Sequence, residues 1–204
     1  MKAAARPYDQ SRRRVQASLT RVLVLQAARD LLVRGPDASR FTLDAVALRA
    51  GVSRATVFNL FGGKPGLLGA VFDEMSSRVG LMDVDELLTQ RDPRAALRDY
   101  IHRFGEFYEI ERALLKKLRA YAALDADFSR LVQAREDKRS AGLLYLVERL
   151  QGAGARQATA RRRVAAKLKA LLVLEVFESL AGARRPLSDA SPMVLEMANA
   201  IIGG

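Results

Sequence analysis

The stretch FTLDAVALRAGVSRATVFNLFGGK, residues 41–64, decides the fold, because it contains two consecutive helix starts that share one local pattern. Thr42 can accept a hydrogen bond as the N-cap of the first helix. Phe41 before this cap and Val46 after it are placed to form a hydrophobic staple, which fixes the angle at which the chain enters the helix. The pattern therefore predicts a short helix that begins directly after Thr42.

The second helix start repeats the first. Ser53 is its predicted N-cap, and Val52 and Val57 form the staple pair. Gly51 can adopt the left-handed conformation that ends a helix and turns the chain sharply. Two helices joined by so short a turn must cross closely, and Ala47 supplies the small side chain that this contact needs. The arrangement is typical of a helix-turn-helix motif.

The second helix has an outward face that suits the major groove of duplex DNA. Val57 and Phe61 fall on its inward side. Arg54 can offer two donors to a guanine, Asn59 can pair with an adenine, and Ala55 can contact a thymine methyl group. The predicted outward-facing residues of this helix are therefore Arg54, Ala55, Phe58 and Asn59.

Other polar residues suit the phosphate backbone, which positions a protein on DNA without specifying sequence. Lys64 and the hydroxyl groups of Thr42 and Thr56 are such candidates. A basic arm, residues 1–17, precedes the motif. Its arginines either contact phosphates or the minor groove or are simply solvated, and the sequence leaves both readings open. These arginines are Arg12, Arg13 and Arg14.

Positive charge is concentrated in the amino-terminal third of the chain. Residues 1–70 hold 12 Lys or Arg against 4 Asp or Glu, whereas residues 71–204 hold 22 against 19. A localised positive field is typical of a surface that binds a polyanion, although acidic lipid could attract the same field. The chain has no cysteine and no apolar run approaching the roughly 18 residues of a membrane span. We expect a soluble cytoplasmic protein without a membrane partner.

Apolar residues recur at spacings of three and four, and strictly alternating stretches are missing, so the sequence predicts an all-α protein. Residues 18–64 form the predicted helix-turn-helix domain, whose first helix spans 18–34. Residues 65–204 form a larger helical domain. Its predicted helices cover about 65–79, 93–110, 111–122, 126–150 and 157–182, and a final helix has Ser191 as its N-cap.

These residues resemble the DNA-binding domain of the TetR (tetracycline repressor) family of bacterial transcriptional regulators. The matching strings are TRVLVLQAARDLLVRG, residues 20–35, and FTLDAVALRAGVSRATVFNLFGGKPGLLGAV, residues 41–71. The resemblance implies a three-helix reader joined by a long fourth helix to a variable helical domain. It also implies a homodimer on an inverted-repeat operator, acting most simply as a ligand-responsive repressor.

The resemblance also implies roles for individual positions. Phe58 stands where the family usually has a phosphate-contacting tyrosine, and Leu60 stands where histidine or tyrosine is common. Both departures remove polar reach to the backbone, and Phe58 can instead pack against sugars or a thymine methyl group. By position, backbone contacts fall on Thr42, Thr56 and Lys64, and groove-facing positions fall on Ser53, Arg54, Ala55 and Asn59.

A two-fold operator requires a two-fold protein, and the carboxy-terminal helices are the candidates for joining two subunits. The residues around position 170 are more apolar than a helix with a single buried face requires. Burial inside one subunit is the alternative reading. The candidate interface residues are Leu168, Leu171, Leu172, Glu175, Met193, Met197 and Ile201.

Most aromatic residues lie between the reader and these helices, where they could line a pocket for a small apolar or aromatic effector. Plain core packing is the alternative for each of them. The candidate ligand-binding residues are Met75, Tyr100, Phe104, Phe107, Tyr108, Tyr121, Phe128, Tyr145 and Phe177.

The sequence gives little support to an enzyme. It has no cysteine, a single histidine (His102), no phosphate-loop pattern and no paired acidic motif with metal-ligand spacing. We therefore expect no catalytic residues, no metal and no cofactor. A helical scaffold or membrane-surface protein is the other alternative. Residues 160–174 have some basic amphipathic character, but their cations do not share one face.

Overall fold

The computed structural model describes residues 8–35, 40–78, 80, 84–151 and 158–203, and the side chains of these except residues 8–13 and 84–85. Within these ranges the chain forms helices and contains no β-strand, which confirms the all-α prediction. None of these helices is long and apolar enough to cross a lipid bilayer. The helices are α1 (Tyr8–Arg34), α2 (Leu43–Ala50), α3 (Arg54–Phe61), α4 (Lys64–Arg78), α5 (Val84–Thr89), α6 (Pro93–Ala122), α7 (Ala126–Gln151), α8 (Ala158–Leu171), α9 (Leu174–Ala181) and α10 (Ser191–Gly203), with a 3-10 turn at Leu187–Ala190.

Helices α1, α2 and α3 form a small packed unit, which we call the reader. Val24, Ala28 and Leu32 on α1 recur at intervals of four and are buried where α1 packs against α2, α4 and α6. Burying one such apolar side chain contributes about 1.5–3 kcal/mol, with the smaller alanine contributing less. The periodic pattern that predicts α1 is therefore also the pattern that attaches the reader to the rest of the protein.

Helix α1 begins at Tyr8, well before the predicted start near residue 18. Residues 8–17 continue the helix and do not form a separate arm. No glycine or proline interrupts residues 8–34, so the sequence contains nothing that would stop the helix. Val15 and Leu19 are exposed in this extension. Burial periodicity, the signal used for the prediction, is consequently missing there.

Helix α6 is continuous, although the sequence predicted two segments meeting at residues 110 and 111. The apparent break arises at Glu111, a charged residue on the otherwise apolar buried face. Its side chain is 0% exposed, and Glu111 Oε2 lies 2.5 Å from Arg29 Nη2 on α1. A buried carboxylate requires such a partner. This ion pair joins the reader to the larger helical domain.

The predicted helix over residues 157–182 is divided at Leu172 and Val173. Val173 has an extended backbone, and the carbonyl group of Leu172 is released from the helix. That carbonyl group accepts hydrogen bonds from the Tyr108 hydroxyl group at 2.9 Å and from Arg139 Nη1 at 3.0 Å. Because side chains from two other helices satisfy it, the break needs no glycine or proline, and local sequence does not reveal it.

Helix α10 begins at Ser191, close to the prediction, but the predicted N-cap is wrong. A 3-10 turn precedes the helix, and Ser191 Oγ is buried without a hydrogen-bond partner. Ser191 instead packs against Gly105 on α6, where a Cβ atom would come within 2.4 Å of Ser191 Oγ. The glycine therefore permits a close approach of the 3-10 turn and α10 to α6. The short helix α5 carries too few residues for a periodic signal and was not predicted.

Candidate nucleic-acid interface and cavity

The helix-turn-helix geometry is present as predicted. The Thr42 hydroxyl group accepts a hydrogen bond from the Ala45 amide at 3.1 Å, and the Ser53 hydroxyl group accepts one from the Thr56 amide at 3.0 Å. Gly51 has a φ of 67°, the left-handed conformation that a glycine adopts without strain. Both predicted caps and the turn between the helices are confirmed.

The two helices cross at small and branched apolar residues. Val46, Ala47 and Val57 are all buried, and the Val52 amide donates to the Ala47 carbonyl group at 3.0 Å. Phe41, the predicted staple residue before the first cap, is buried as well. These contacts fix the orientation of α3 relative to α2, so the outward face of α3 is held by packing.

Helix α3 presents its polar residues outward. Val57 faces the core, whereas Ala55 and Asn59 are exposed. The side chain of Arg54 is 63% exposed, and Phe58 is 52% exposed. The predicted orientation of α3 is confirmed, and the base contacts themselves stay a prediction.

One acidic residue lies beside this surface. Asp44 on α2 places Oδ2 3.4 Å from Arg54 Nε, and both side chains are largely exposed. An ion pair this open to solvent contributes at most about 1 kcal/mol. Asp44 can therefore orient Arg54 in the free protein and still release it to a guanine.

The hydroxyl groups predicted to contact DNA already take part in the reader's own hydrogen bonds. Ser53 Oγ and Thr56 Oγ1 lie 2.8 Å apart, in addition to the cap that Ser53 provides. A hydroxyl group that accepts in a cap still has a proton to donate. The Thr42 hydroxyl group can donate that proton to a phosphate. Of the two hydroxyl protons of Ser53 and Thr56, one is used in the hydrogen bond between these two residues.

The arginines of the predicted arm lie on α1. Arg14 is exposed, and the side chains of Arg12 and Arg13 are outside the described part of the structure. Arg21 is a further cation here that the sequence did not point to, and its guanidinium carbon lies 4.6 Å from the Phe61 ring centroid at the end of α3. Arg21 Nη1 also donates to the Leu60 carbonyl group at 3.4 Å. This cation therefore lies next to α3, where it adds to the positive field.

Lys64, predicted to contact a phosphate, lies at the junction between the reader and α6. Its Nζ atom is 4.8 Å from the ring centroid of Tyr121 and 5.8 Å from that of Phe41. The two rings meet edge to face with their centroids 5.6 Å apart. Tyr121, a candidate ligand-binding residue, therefore packs at this junction and is not part of the cavity wall described next.

A cavity of about 810 Å³ lies between α4, α6 and α7. Its aromatic side is built by α6, where the Tyr100 and Phe104 ring centroids are 4.9 Å apart. Burial raises the pKa of Tyr108 to about 12 and raises that of Tyr100 as well, so both phenols are neutral at physiological pH. The candidate ligand-binding residues that line the cavity are Tyr100, Phe104, Phe107, Tyr108 and Tyr145.

The remaining candidates for ligand binding lie elsewhere. Met75, Phe128 and Phe177 are fully buried and do not line the cavity wall. Phe177 packs against Tyr108 with the ring centroids 5.2 Å apart. For these three residues, the core-packing alternative describes the observed position. The charged residues of the cavity wall were not predicted, because the pocket inferred from the sequence rested on aromatic residues and their hydroxyl groups.

The candidate interface residues divide into two groups. Leu168, Leu171 and Leu172 are buried inside the subunit, and Glu175 Oε1 pairs with Arg119 Nη1 of the same chain at 2.6 Å. Glu178, also on α9, likewise pairs within the chain, with Lys116 and Arg112 of α6. Hydrogen bonds from these two side chains, Lys116 first, hold the pKa of Glu178 below its ordinary value. The exposed or half-exposed group, Met193, Met197 and Ile201, lies on α10.

The sole histidine, His102, lies on the exposed side of α6. Its Nε2 atom is 3.4 Å from Glu106 Oε1, one helical turn away. The ranges that the structure describes contain no group of three or more metal-ligating side chains. His102 therefore has the surroundings of a solvated surface residue.

Known proteins share both the reader and the overall architecture. The family of bacterial regulatory proteins named tetR matches residues 24–71. Over 120 residues the chain is 34% identical to the HTH-type transcriptional regulator AlkX of Mycobacterium tuberculosis, a match that spans 59% of this chain and 47% of that relative. The chain thus spans about half the length of this curated relative.

Solved structures with the same fold cover nearly the whole chain. NalD from Pseudomonas aeruginosa, the secondary repressor of the MexAB-OprM multidrug efflux pump, is similar with a TM-score of 0.65 at 18% identity, covering 91% of this chain and 96% of NalD. A TetR-like transcriptional regulator from a Rhodococcus species is similar with a TM-score of 0.65 at 20% identity, again covering 91% and 96%. Residues 24–71, which include the capped and stapled helix-turn-helix, therefore match the tetR family of bacterial regulatory proteins, and the chain as a whole shares its all-helical fold with these solved structures.

Proposed function

We propose that this protein is a cytoplasmic transcriptional regulator, a repressor that binds an inverted-repeat operator as a homodimer and responds to a small effector. The observation that carries the proposal is the geometry of α3. Val57 anchors the helix in the core while Arg54, Ala55 and Asn59 face outward from a basic reader. The match of residues 24–71 to the tetR family of bacterial regulatory proteins and the similarity to the transcriptional regulator AlkX support the same function.

The division of labour follows the two parts of the chain. Residues 18–64 read DNA, and residues 65–204 dimerise and bind the effector. A cavity of about 810 Å³ is within the range of about 300–1,000 Å³ that is typical of small-molecule sites. The proposed dimer surface is the face of α10 with Met193, Met197 and Ile201. The leucines of α8 are buried in the subunit core and are not part of this surface. The protein carries out no catalysis in this proposal.

Effector response requires a difference in affinity between two conformations. An effector shifts the population only if it binds more tightly to the subunit arrangement that misfits the operator. Recognition helices of a dimer must lie about 34–36 Å apart, or a multiple of this, to enter successive major grooves. A ligand between α4 and α7 is well placed to alter that spacing, because α4 connects the reader to the cavity.

Binding to mixed duplex DNA at several salt concentrations tests the DNA-binding part of this proposal. Each phosphate contact contributes a slope of about −0.9 to the plot of log K against log salt, so about six contacts weaken binding roughly 10³-fold between 50 and 200 mM. Fluorescence anisotropy of a labelled duplex measures this loss. A helical scaffold would show no uptake of the duplex at any salt concentration, and that result would contradict the proposal.

A further inference from the structure

The cavity has one charged side in an otherwise aromatic and apolar wall. Four cations and two carboxylates line it. Helix α7 contributes three of these cations, which places most of the positively charged side chains opposite the aromatic side formed by α6. The charged residues are Arg119, Arg135, Lys138 and Arg139 with Asp73 and Glu136.

Two of these cations already have dedicated carboxylate partners. Arg135 Nη2 lies 2.5 Å from Asp73 Oδ1, and it also donates to the Gly69 carbonyl group at 3.1 Å. Arg119 Nη1 lies 2.6 Å from Glu175 Oε1, outside the cavity wall. Binding a ligand at either arginine would require breaking a contact between two helices.

Arg139 has unused capacity. Its side chain is 15% exposed, Nη1 donates to the Leu172 carbonyl group at 3.0 Å, and its guanidinium carbon lies 5.5 Å from the Phe104 ring centroid. Arg139 Nε is buried and has no hydrogen-bond partner. An unpaired buried donor on a charged group is unfavourable, and an acceptor supplied by a ligand would satisfy it.

The one carboxylate beside Arg139 is shared. Glu136 Oε2 lies 2.9 Å from Arg139 Nη2 and 3.8 Å from Lys169 Nζ. One carboxylate between two cations leaves a net positive charge at this point of the wall. The two buried phenols nearby, Tyr100 and Tyr108, stay neutral and do not compensate it. A ligand that brings one negative charge would complete the pairing.

We propose that the effector is a small organic monoanion, with a carboxylate that binds Arg139 and an apolar body that packs on Tyr100, Phe104 and Phe107. This inference rests on the proposed function, because it names the chemical class of effector for the same cavity. A neutral ligand leaves the net positive charge beside Arg139 and the unpaired Nε atom as they are. A cationic ligand adds to this positive charge and is repelled.

The test compares probes that share a body and differ only in charge. The full-length protein, without DNA, is titrated by calorimetry with 2-naphthoate, methyl 2-naphthoate and 2-naphthylmethylammonium. The acid is expected to bind at least tenfold more tightly than the ester, and the ammonium compound is expected to bind least. Ester or ammonium binding equal to that of the acid, or no saturable binding of the acid, would overturn the proposal.

Single-residue variants test whether Arg139 is the cation that binds the carboxylate of 2-naphthoate. Arg139→Gln is expected to weaken acid binding at least tenfold and to leave ester binding unchanged. Arg130→Gln is the matched control, because Arg130 lies on the same helix, is exposed and pairs with Asp127 outside the cavity. Glu136→Gln is expected to tighten acid binding, since it removes the competing carboxylate, and it keeps the test decisive if Arg139→Gln does not fold. Equal acid affinity in the Arg139 and Arg130 variants, or weaker binding in Glu136→Gln, would overturn the assignment.

A second readout separates this inference from the proposed function. The anisotropy of the protein–DNA complex is recorded with and without 2-naphthoate. If the acid binds through Arg139 and DNA affinity does not change, the anion site stands and effector control of DNA binding fails. If the protein takes up no DNA under any condition, the regulator proposal fails whatever the acid does.

Discussion

Replacing Arg29 by methionine is expected to lower the free energy of unfolding by about 3–5 kcal/mol, because it strands a buried carboxylate without its counter-charge. Arg29 Nη2 lies 2.5 Å from Glu111 Oε2, and the Glu111 side chain is fully buried. The other carboxylate near Arg29, Glu74 Oε2, is 3.6 Å away and partly exposed. Loss of Arg29 therefore affects Glu74 much less than Glu111, because solvent can screen the Glu74 charge. Urea unfolding followed by circular dichroism measures the change.

Two comparisons show whether the stranded charge is the cause. The double variant Arg29→Met with Glu111→Leu is expected to recover most of the lost stability, since it replaces the ion pair by apolar groups of similar size. Arg49→Met breaks an exposed pair, with Asp30 at 2.6 Å, and is expected to cost less than about 1 kcal/mol. A small loss in Arg29→Met, or a double variant as unstable as the single one, would contradict this reading of the junction.

The second large effect is expected for Phe177→Ala, which should lower the free energy of unfolding by about 3–5 kcal/mol. Phe177 is fully buried and its ring contacts that of Tyr108, so truncation leaves a void that the surrounding helices can fill only partly. The same denaturation measurement applies. Because Phe177 does not line the cavity, affinity for 2-naphthoate should change little in the folded variant.

Tyr145→Ala is the matched aromatic control. Tyr145 lines the cavity and is exposed on its other side, so its truncation should cost less than about 1 kcal/mol of stability. The Tyr145→Ala substitution should instead change the affinity of the protein for 2-naphthoate. If Tyr145→Ala proved as destabilising as Phe177→Ala, the division between core and cavity wall drawn here would be incorrect.

The reader could be predicted from the sequence because each of its features is local. The N-caps at Thr42 and Ser53 and the left-handed turn at Gly51 depend on residues within a few positions of each other. The outward direction of Arg54 and Asn59 then follows from helical periodicity. The structure confirms each of these features, whereas the base contacts are predictions that require DNA to test.

The larger domain was harder to predict because its decisive contacts join residues far apart in the chain. Glu111 looks like an interruption of an apolar stripe until Arg29 is placed beside it. The break at Leu172 depends on donors from α6 and α7. Apolarity alone did not separate core from interface, so Leu168 was assigned to a dimer surface although it is buried in the subunit.

The same limit applies to the cavity. Aromatic residues on α6 were found by their spacing, and five of the nine candidates do line the cavity. The cations on α7 were not considered, since a charged residue in a helix sequence normally indicates a solvated face. Arg139 becomes a candidate ligand-binding residue only when its burial and its unpaired Nε atom are known.

In the proposed function α3 reads base sequence, and binding of Arg54→Ala to two duplexes, one selected from a random pool and one scrambled, tests this role. We expect a loss of about 1–3 kcal/mol on the selected duplex and a much smaller loss on the scrambled one. Lys64→Ala should weaken binding to both duplexes alike, and Arg98→Ala, an equal charge change at an exposed site on α6, should affect neither. Equal losses on the two duplexes for Arg54→Ala would contradict the account.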